Sequence, residues 1–499
     1  MKPSRKISPL RWPRRDFLKT ATLVGGAMVF GVPTLLRGSN LNSKLNIAAI
    51  GAGGKGVIDT DCCSGENIVA LCDVDTVNCA KQVQKYPAAK FYRDFRVMFD
   101  EMGKGIDAVT VSTPDHFHAL AESHAMRLGK HVYGQKPLTQ TVYEARYLRN
   151  LARETRVVTQ MGNQGSASDG FRRAVECIQA GIIGQVHAVH IWTNRPIWPQ
   201  GMGRPEGSDP VPDTLNWDVW IGPAPMRPYK RGVYEPFNWR GWLDFGTGAI
   251  GDMACHTVNM AFRSLHLVNP TEIEAEAFGG MNTESYPIGS KIRFQFPARK
   301  VEIAAAHKTL FHRHHTLNLD PVTLWWYDGG QPTSDPDARG GHDGSNKPPR
   351  ELTDDIEAML GEIPIAGCLL LGDQGTIFSP DDYGEQFFVK LADDKKFTHF
   401  KKLPAVDRIP EAIPRNPFTG DNDQRHHLEW IAAIKENRPQ DCYSRFDITA
   451  PLTETMLLGD VALRVGKKID WDSAALRATN APEAAQFIKR DYRTGWNLA

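Results

Sequence analysis

A chain of 499 residues has room for one to three domains with a large buried core. With 59 Lys and Arg against 58 Asp and Glu, and 41% hydrophobic residues, its composition is that of an ordinary globular protein, and the charge balance gives no reason to expect nucleic acid or an anionic membrane as a partner. The eight cysteines (Cys62, Cys63, Cys72, Cys79, Cys177, Cys255, Cys368 and Cys442) include no CxxC pair, so no metal site is expected; they read as small core residues, some able to oxidise if the protein is exported.

The N-terminus carries Pro13-Arg14-Arg15-Asp16-Phe17-Leu18-Lys19, followed by a mildly apolar stretch over residues 20–32. A charged region before a short apolar run is a targeting pattern, too short to span a bilayer securely. The paired arginines before Phe-Leu-Lys resemble a twin-arginine export signal. The alternative is an amphipathic helix of the fold itself, disfavoured because the first strand begins only near Leu45. No Ala-x-Ala cleavage site follows, so the segment either stays as a membrane anchor or is cut at an atypical site. Residues 1–44 are therefore assigned to a twin-arginine signal and linker, the export machinery is an expected partner, and the periplasm is the expected location.

Leu45-Asn46-Ile47-Ala48-Ala49-Ile50 is a short apolar strand that runs straight into Gly51-Ala52-Gly53-Gly54-Lys55-Gly56. Strand, GxGxxG and helix together are the context that makes this motif a dinucleotide site. Gly51 permits the tight turn, Gly53 lets the backbone approach a pyrophosphate, and Gly56 allows close packing of helix on strand. A second strand over residues 68–72 ends in Asp73, about 20 residues further on, where a carboxylate accepts ribose hydroxyls and repels a 2′-phosphate. No Arg follows Asp73 directly, so NAD is favoured over NADP. The plain alternative for Asp73 is a solvated turn carboxylate.

Residues 106–112 read as a buried strand stopped by Thr113-Pro114, and His118 lies in the helix that follows. His131-Val132-Tyr133 is another strand, leading into Gly134-Gln135-Lys136-Pro137-Leu138. Alternation of strand and helix at this spacing implies a doubly wound parallel sheet, with ligands at its carboxyl edge, where Thr113, Pro114 and Lys136 fall.

The succession GxGxxG, strand-Asp, Thr-Pro-x-x-x-His and Gln-Lys-Pro-Leu resembles the Gfo/Idh/MocA oxidoreductase family, from Leu45 to the C-terminus. The resemblance implies an α/β architecture: a Rossmann domain over residues 45–165 and an α+β substrate and oligomerisation domain over residues 166–499, built on a large open, mainly antiparallel sheet. It also implies that Lys136 lies beside nicotinamide and substrate, and that Thr113, Pro114 and His118 border the cofactor. The family usually has Glu where this chain has Gln135, which removes a charge next to the lysine.

In the second half, residues 184–192 alternate as a half-buried strand does, and segments 292–296, 301–304, 323–327 and 375–378 continue the pattern. Asp252 and His256 share one face of a predicted helix. A capped helix start with a core histidine is the plain reading; the resemblance implies instead the family's catalytic Asp-x-x-x-His pair, with Asp252 holding His256. His256 would then accept a hydroxyl proton while Lys136 stabilises the alkoxide or relays the proton.

Trp192, Trp198, Trp217, Trp220, Trp239 and Trp242, with Asn194, Arg195, Arg240 and Asp244 among them, fit either a sugar platform or pins for a long loop. His187 and His190 fall on opposite strand faces and read as structural, and His116 is a weaker candidate than His118. His314-His315 and His426-His427 show no carboxylate partner. Residues 328–360 read as a surface loop or lid, and 425–435 and 453–465 as helices.

The leading expectation is an NAD-dependent oxidoreductase acting on a secondary hydroxyl of a sugar, sugar derivative or cyclitol. Export in the folded state would allow the NAD to be carried prebound. Two alternatives stay open: a redox-neutral, NAD-using glycosidase, and a non-catalytic sugar- or nucleotide-binding protein on the same scaffold. An open sheet face also points to a homo-oligomer.

Overall fold

The computed structural model describes residues 43–303, 315–335 and 337–499. The paired arginines, the apolar run behind them and His314 lie outside these residues.

Six parallel strands, β1 (Asn46–Ile50), β2 (Asn67–Cys72), β3 (Lys90–Tyr92), β4 (Ala108–Val111), β5 (His131–Gly134) and β6 (Thr159–Met161), form one sheet in the order β3-β2-β1-β4-β5-β6. Residues 47–50 of β1 and all of β4 are buried, as central strands covered on both faces must be, which explains their nearly unbroken apolar runs. The strand order reverses between β1 and β4, and this switch opens a crevice at the carboxyl edge.

The second half supplies β7 (Val186–Thr193), β8 (Glu272–Phe278), β9 (Gly289–Phe296), β10 (Arg299–Ile303), β11 (His315–Leu319), β12 (Val322–Asp328), β13 (Gly367–Gly372), β14 (Gly375–Ser379), β15 (Phe388–Leu391), β16 (Thr398–His399), β17 (Ile469–Asp472) and β18 (Arg477–Ala478). Ten of these form a sheet in the order β16-β15-β14-β13-β7-β12-β9-β8-β17-β18, antiparallel except where β7 pairs with β12. In β9, Ile292, Phe294 and Phe296 are buried, while Lys291, Arg293 and Gln295 alternate with them on a half-exposed face. Of the segment expected as a further strand of this sheet at 301–304, residues 301–303 instead belong to a separate antiparallel pair, β10 with β11. With only Val301 and Ile303 apolar among Arg299, Lys300 and Glu302, it has little to contribute to a sheet core.

Two helices from beyond residue 165 pack against the first half. Helix Asn422–Lys435 returns to the first sheet, where Trp430, Ile431 and Ile434 join Ile47, Ala108 and Tyr133 in one apolar cluster. Helix Phe446–Val465 packs against both Val142–Thr155 and Gly248–Thr257, tying the two halves together. The stretch 328–360 is not a free lid. Its helix Arg350–Leu360 buries Ile356 with Trp192, Tyr327 and Leu369 on the large sheet.

Candidate active site

The glycine turn faces a cavity of about 460 Å³ at the switch between β1 and β4. Gly51, Gly53, Asp73, Thr113, Pro114 and Lys136 all line it. Gly51 has φ +79°, and a Cβ there would lie 2.7 Å from the Ser112 carbonyl, so the turn accepts only glycine. Gly56 lies behind the cavity rather than on it: its Cβ would stand 1.7 Å from the Gly51 carbonyl oxygen, the close helix-on-strand contact expected of it. The Asp73 carboxylate accepts the Gly53 N–H at 2.8 Å and the Asp75 N–H at 2.9 Å. Burial pushes this carboxyl up to about 6 against those two amides.

His118 differs from the expectation. It does not line the cavity; its ring nitrogens lie 2.8 Å from the Pro137 carbonyl and 2.7 Å from the Thr113 carbonyl. It therefore pins together the two turns that do line the cavity, and burial lowers its pKa. Arg93, just past β3, reaches the cavity with its guanidinium on the Val74 carbonyl, 3.4 Å away. Reading only the residues directly after Asp73 missed it, because β2–β3 pairing brings it beside them.

The residues present fit a nicotinamide dinucleotide. Gly54, at the head of helix Lys55–Cys62, has open space where a side chain would stand, and the helix N-terminus favours a pyrophosphate there. The Asp73 carboxylate lies on the same cavity wall, where it could accept from ribose hydroxyls.

At the other end of the cavity, Lys136 Nζ donates to Asp252 Oδ1 and to the Asp252 carbonyl, each at 2.9 Å. Arg240 Nε donates to the same Oδ1 at 3.1 Å. Burial alone would raise the Asp252 carboxyl, but Lys136 and Arg240 hold it down at about 2. Helix Gly248–Thr257 carries Asp252 and His256 on successive turns. The expectation that Asp252 holds His256 does not stand: the carboxylate is committed to Lys136 and Arg240, and the buried His256 Nδ1 has no partner among the described residues. Burial first, then Lys136, keeps His256 well below its ordinary pKa, so the imidazole is neutral.

Two groups come from segments the sequence did not single out. The Tyr383 ring sits edge-on to His256, with centroids 5.0 Å apart. Asp382 Oδ1 is buried with no hydrogen-bond partner among the described residues, and burial raises its carboxyl, which Arg195 opposes electrostatically. Thr247, just before the helix of His256, donates to the buried Asp115 at 2.6 Å. No motif marks the 380s loop, and only the fold brings it over the helix of His256.

Most of the tryptophans are pins rather than a sugar platform. Trp217 stacks on Trp220 at 4.8 Å, and both join Tyr229, Tyr234, Trp242 and Phe245 in a buried cluster. Trp192 stacks on Phe378 elsewhere, and Trp198 is buried with its indole N–H on Gln200. Trp220 and Trp239 border the cavity, and Arg240 lines it and pairs with Asp252. His427 does have a carboxylate neighbour, with Nε2 3.5 Å from Asp59 Oδ1.

Known proteins share this family and this fold. The Gfo/Idh/MocA profile described as "Oxidoreductase family, NAD-binding Rossmann fold" matches residues 45–163, and its companion "Oxidoreductase family, C-terminal alpha/beta domain" matches residues 191–279. The chain belongs to the Gfo/Idh/MocA family. Among the family's curated members, it is 33% identical over 241 residues to 1,5-anhydro-D-fructose reductase of Ensifer adhaerens, covering 44% of this chain and 66% of that one. It is 32% identical over 161 residues to a glycosyl hydrolase family 109 protein of Solibacter usitatus, covering 28% of this chain and 36% of the relative. Several curated relatives are thus matched over only about a third of their own length. The fold is that of an inositol dehydrogenase homologue from Azotobacter vinelandii complexed with NADH and myo-inositol, with a TM-score of 0.54, 14% identity, and coverage of 87% of this chain and 100% of that one.

Proposed function

We propose that this family member is an NAD-dependent oxidoreductase acting on a secondary hydroxyl of a sugar, sugar derivative or cyclitol. The observation that carries the reading is the Lys136–Asp252 ion pair at 2.9 Å, at the end of the dinucleotide cavity, with a neutral His256 one turn away whose Nδ1 has no hydrogen-bond partner among the described residues. Gly51, Gly53, Asp73 and the turn at Thr113 would hold the dinucleotide, which supplies a hydride acceptor when bound. His256 takes the hydroxyl proton on its neutral ring. The Lys136 ammonium, fixed by Asp252, stabilises the negative charge that develops on that oxygen. Arg195 and the buried Asp382 oxygen supply a donor and an acceptor for neighbouring hydroxyls.

The test is NAD reduction by purified protein against a panel of sugars and cyclitols. At least one is expected to give reduced cofactor, and Lys136→Ala is expected to lower that rate by roughly 10²- to 10⁴-fold with NAD binding intact. Unchanged turnover in Lys136→Ala would sink the assignment.

The similarity to a glycosyl hydrolase family 109 protein favours a second reading, a redox-neutral glycosidase that oxidises its substrate transiently and then eliminates the aglycone. Release of aglycone from a chromogenic glycoside without net reduced cofactor separates it from the first. We further infer that residues 13–32 direct twin-arginine export to the periplasm, which favours a prebound NAD. Denatured exported protein is expected to release it stoichiometrically. The half-exposed face of the large sheet, with Lys291 over the Trp325 ring at 5.0 Å and Arg293 on Glu274, is the proposed contact between copies in a homo-oligomer.

A further inference from the structure

Gln135 precedes Lys136 directly, and the proposed chemistry makes no use of its side chain. That side chain is buried: Nε2 donates to the two oxygens of Asp59 at 3.0 and 2.9 Å, and Oε1 accepts the backbone N–H of Lys136 at 3.3 Å. The partners decide which way this amide points. A carboxylate only accepts, so the amide nitrogen must face Asp59 and its oxygen is left for Lys136.

Asp59 is wholly buried in helix Lys55–Cys62, with side chains from several elements around its carboxylate. Ser112, just past β4, donates its hydroxyl at 2.7 Å. Lys55, one turn earlier on the same helix, stands 3.4 Å away and also bonds Asp423. His427 approaches at 3.5 Å from helix Asn422–Lys435, its Nδ1–H donated to the Asp423 carbonyl at 2.7 Å. A buried carboxylate held from three sides, by Gln135, Ser112 and Lys55, has a fixed position, and that is what an anchor requires.

We propose that Asp59 is a positioning residue for Lys136, acting through Gln135. β5 ends at Gly134, and from there the chain must leave the sheet at an angle that carries Lys136 Nζ to Asp252. Asp59 immobilises the Gln135 amide, and the amide oxygen holds the Lys136 N–H at the point of departure. A backbone drift of about 1 Å at that point is enough to lose a well-aligned contact at the reacting centre. The charge absent at position 135 is thus present behind it, on Asp59, where it orients the lysine's backbone instead of pairing with its ammonium.

The catalytic importance of Lys136 rests on the function proposed above. The positioning does not, and its test needs neither substrate nor dinucleotide. Lys136 is acetylated by limiting acetic anhydride and followed by peptide mass spectrometry, with the other lysines of the same sample as internal references and the melting temperature measured in parallel. Asp59→Ala is expected to raise the Lys136 rate by roughly fivefold with the reference lysines unchanged, while Asp59→Asn, which keeps an oxygen for the Gln135 amide, stays within about twofold of the parent. Asp59→Ala combined with Gln135→Ala is expected to label no faster than either single variant, because both remove the same link. If Asp59→Ala fails to fold, Gln135→Ala alone must show the rise. A rise shared by all lysines, an unchanged Lys136, or no rescue by Asp59→Asn would overturn the proposal.

Discussion

The two ends of the central cavity are built by different means. At the dinucleotide end the working parts are backbone: a glycine turn, a helix N-terminus and one carboxylate whose partners are the Gly53 and Asp75 amides. At the lysine end they are charged side chains from separate segments, with Lys136 and Arg240 converging on one Asp252 oxygen and Tyr383 lying against His256. The first end tolerates almost no added atoms, because its contacts are made at backbone distance. The second end tolerates little unbalanced charge, because Lys136, Arg240 and Asp252 are largely withdrawn from water and balance one another.

Removing a charge at the lysine end has the larger expected effect. Asp252→Asn leaves Lys136 and Arg240 facing each other across a buried site, and a loss of roughly 3 kcal/mol in unfolding free energy is expected by denaturant titration. The same variant tests a pH dependence. The Asp252 carboxyl is held at about 2 in the folded protein against an ordinary 3.8, so its contribution is fully present above pH 3.8 and disappears as pH falls through about 2. The parent protein should therefore lose stability over that window more steeply than Asp252→Asn. Equal slopes would mean that the ion pair does not hold the two halves together.

Adding one atom at the backbone end comes next. Gly56→Ala places a Cβ 1.7 Å from the Gly51 carbonyl oxygen, and a destabilisation of about 1–3 kcal/mol together with weaker NAD binding is expected. Calorimetry showing an unaltered melting temperature would show that the helix can shift, and the contrast between the two ends would weaken. The smallest effect concerns specificity. Arg93 already reaches the cavity beside Val74, so Asp73→Ser, which removes the carboxylate that repels a 2′-phosphate, is expected to improve NADP binding relative to NAD by about tenfold. Titration of both dinucleotides reads this ratio directly, and an unchanged ratio would remove Arg93 from consideration.

The difference between the ends also explains how far each was legible beforehand. Gly51, Gly53 and Asp73 fall close together in the chain and line the cavity, because a turn between a strand and a helix is a local object. His118 was placed at the cofactor by its motif, yet its ring ties the Pro137 and Thr113 carbonyls behind the cavity. Asp252 was expected to hold His256 four residues on, and helical spacing does put them on neighbouring turns. Which partner a carboxylate takes depends on what else is within reach, and Lys136 arrives there from the other half of the molecule. The tryptophans illustrate the same limit: an aromatic-rich stretch reads alike whether its rings face a ligand or one another, and Trp217, Trp220 and Trp242 face one another.

What the sequence determined by itself is the doubly wound sheet and the glycine turn that faces a dinucleotide. These follow from strand–helix alternation and from backbone conformations open only to glycine. What only the tertiary structure decided is the return of helix Asn422–Lys435 to the first sheet, the approach of the 380s loop to His256, and the pairing of Asp59 with Gln135 and of Lys136 with Asp252. Those contacts join residues distant in the chain, and their strength comes from exclusion of water, which no local pattern of residues records.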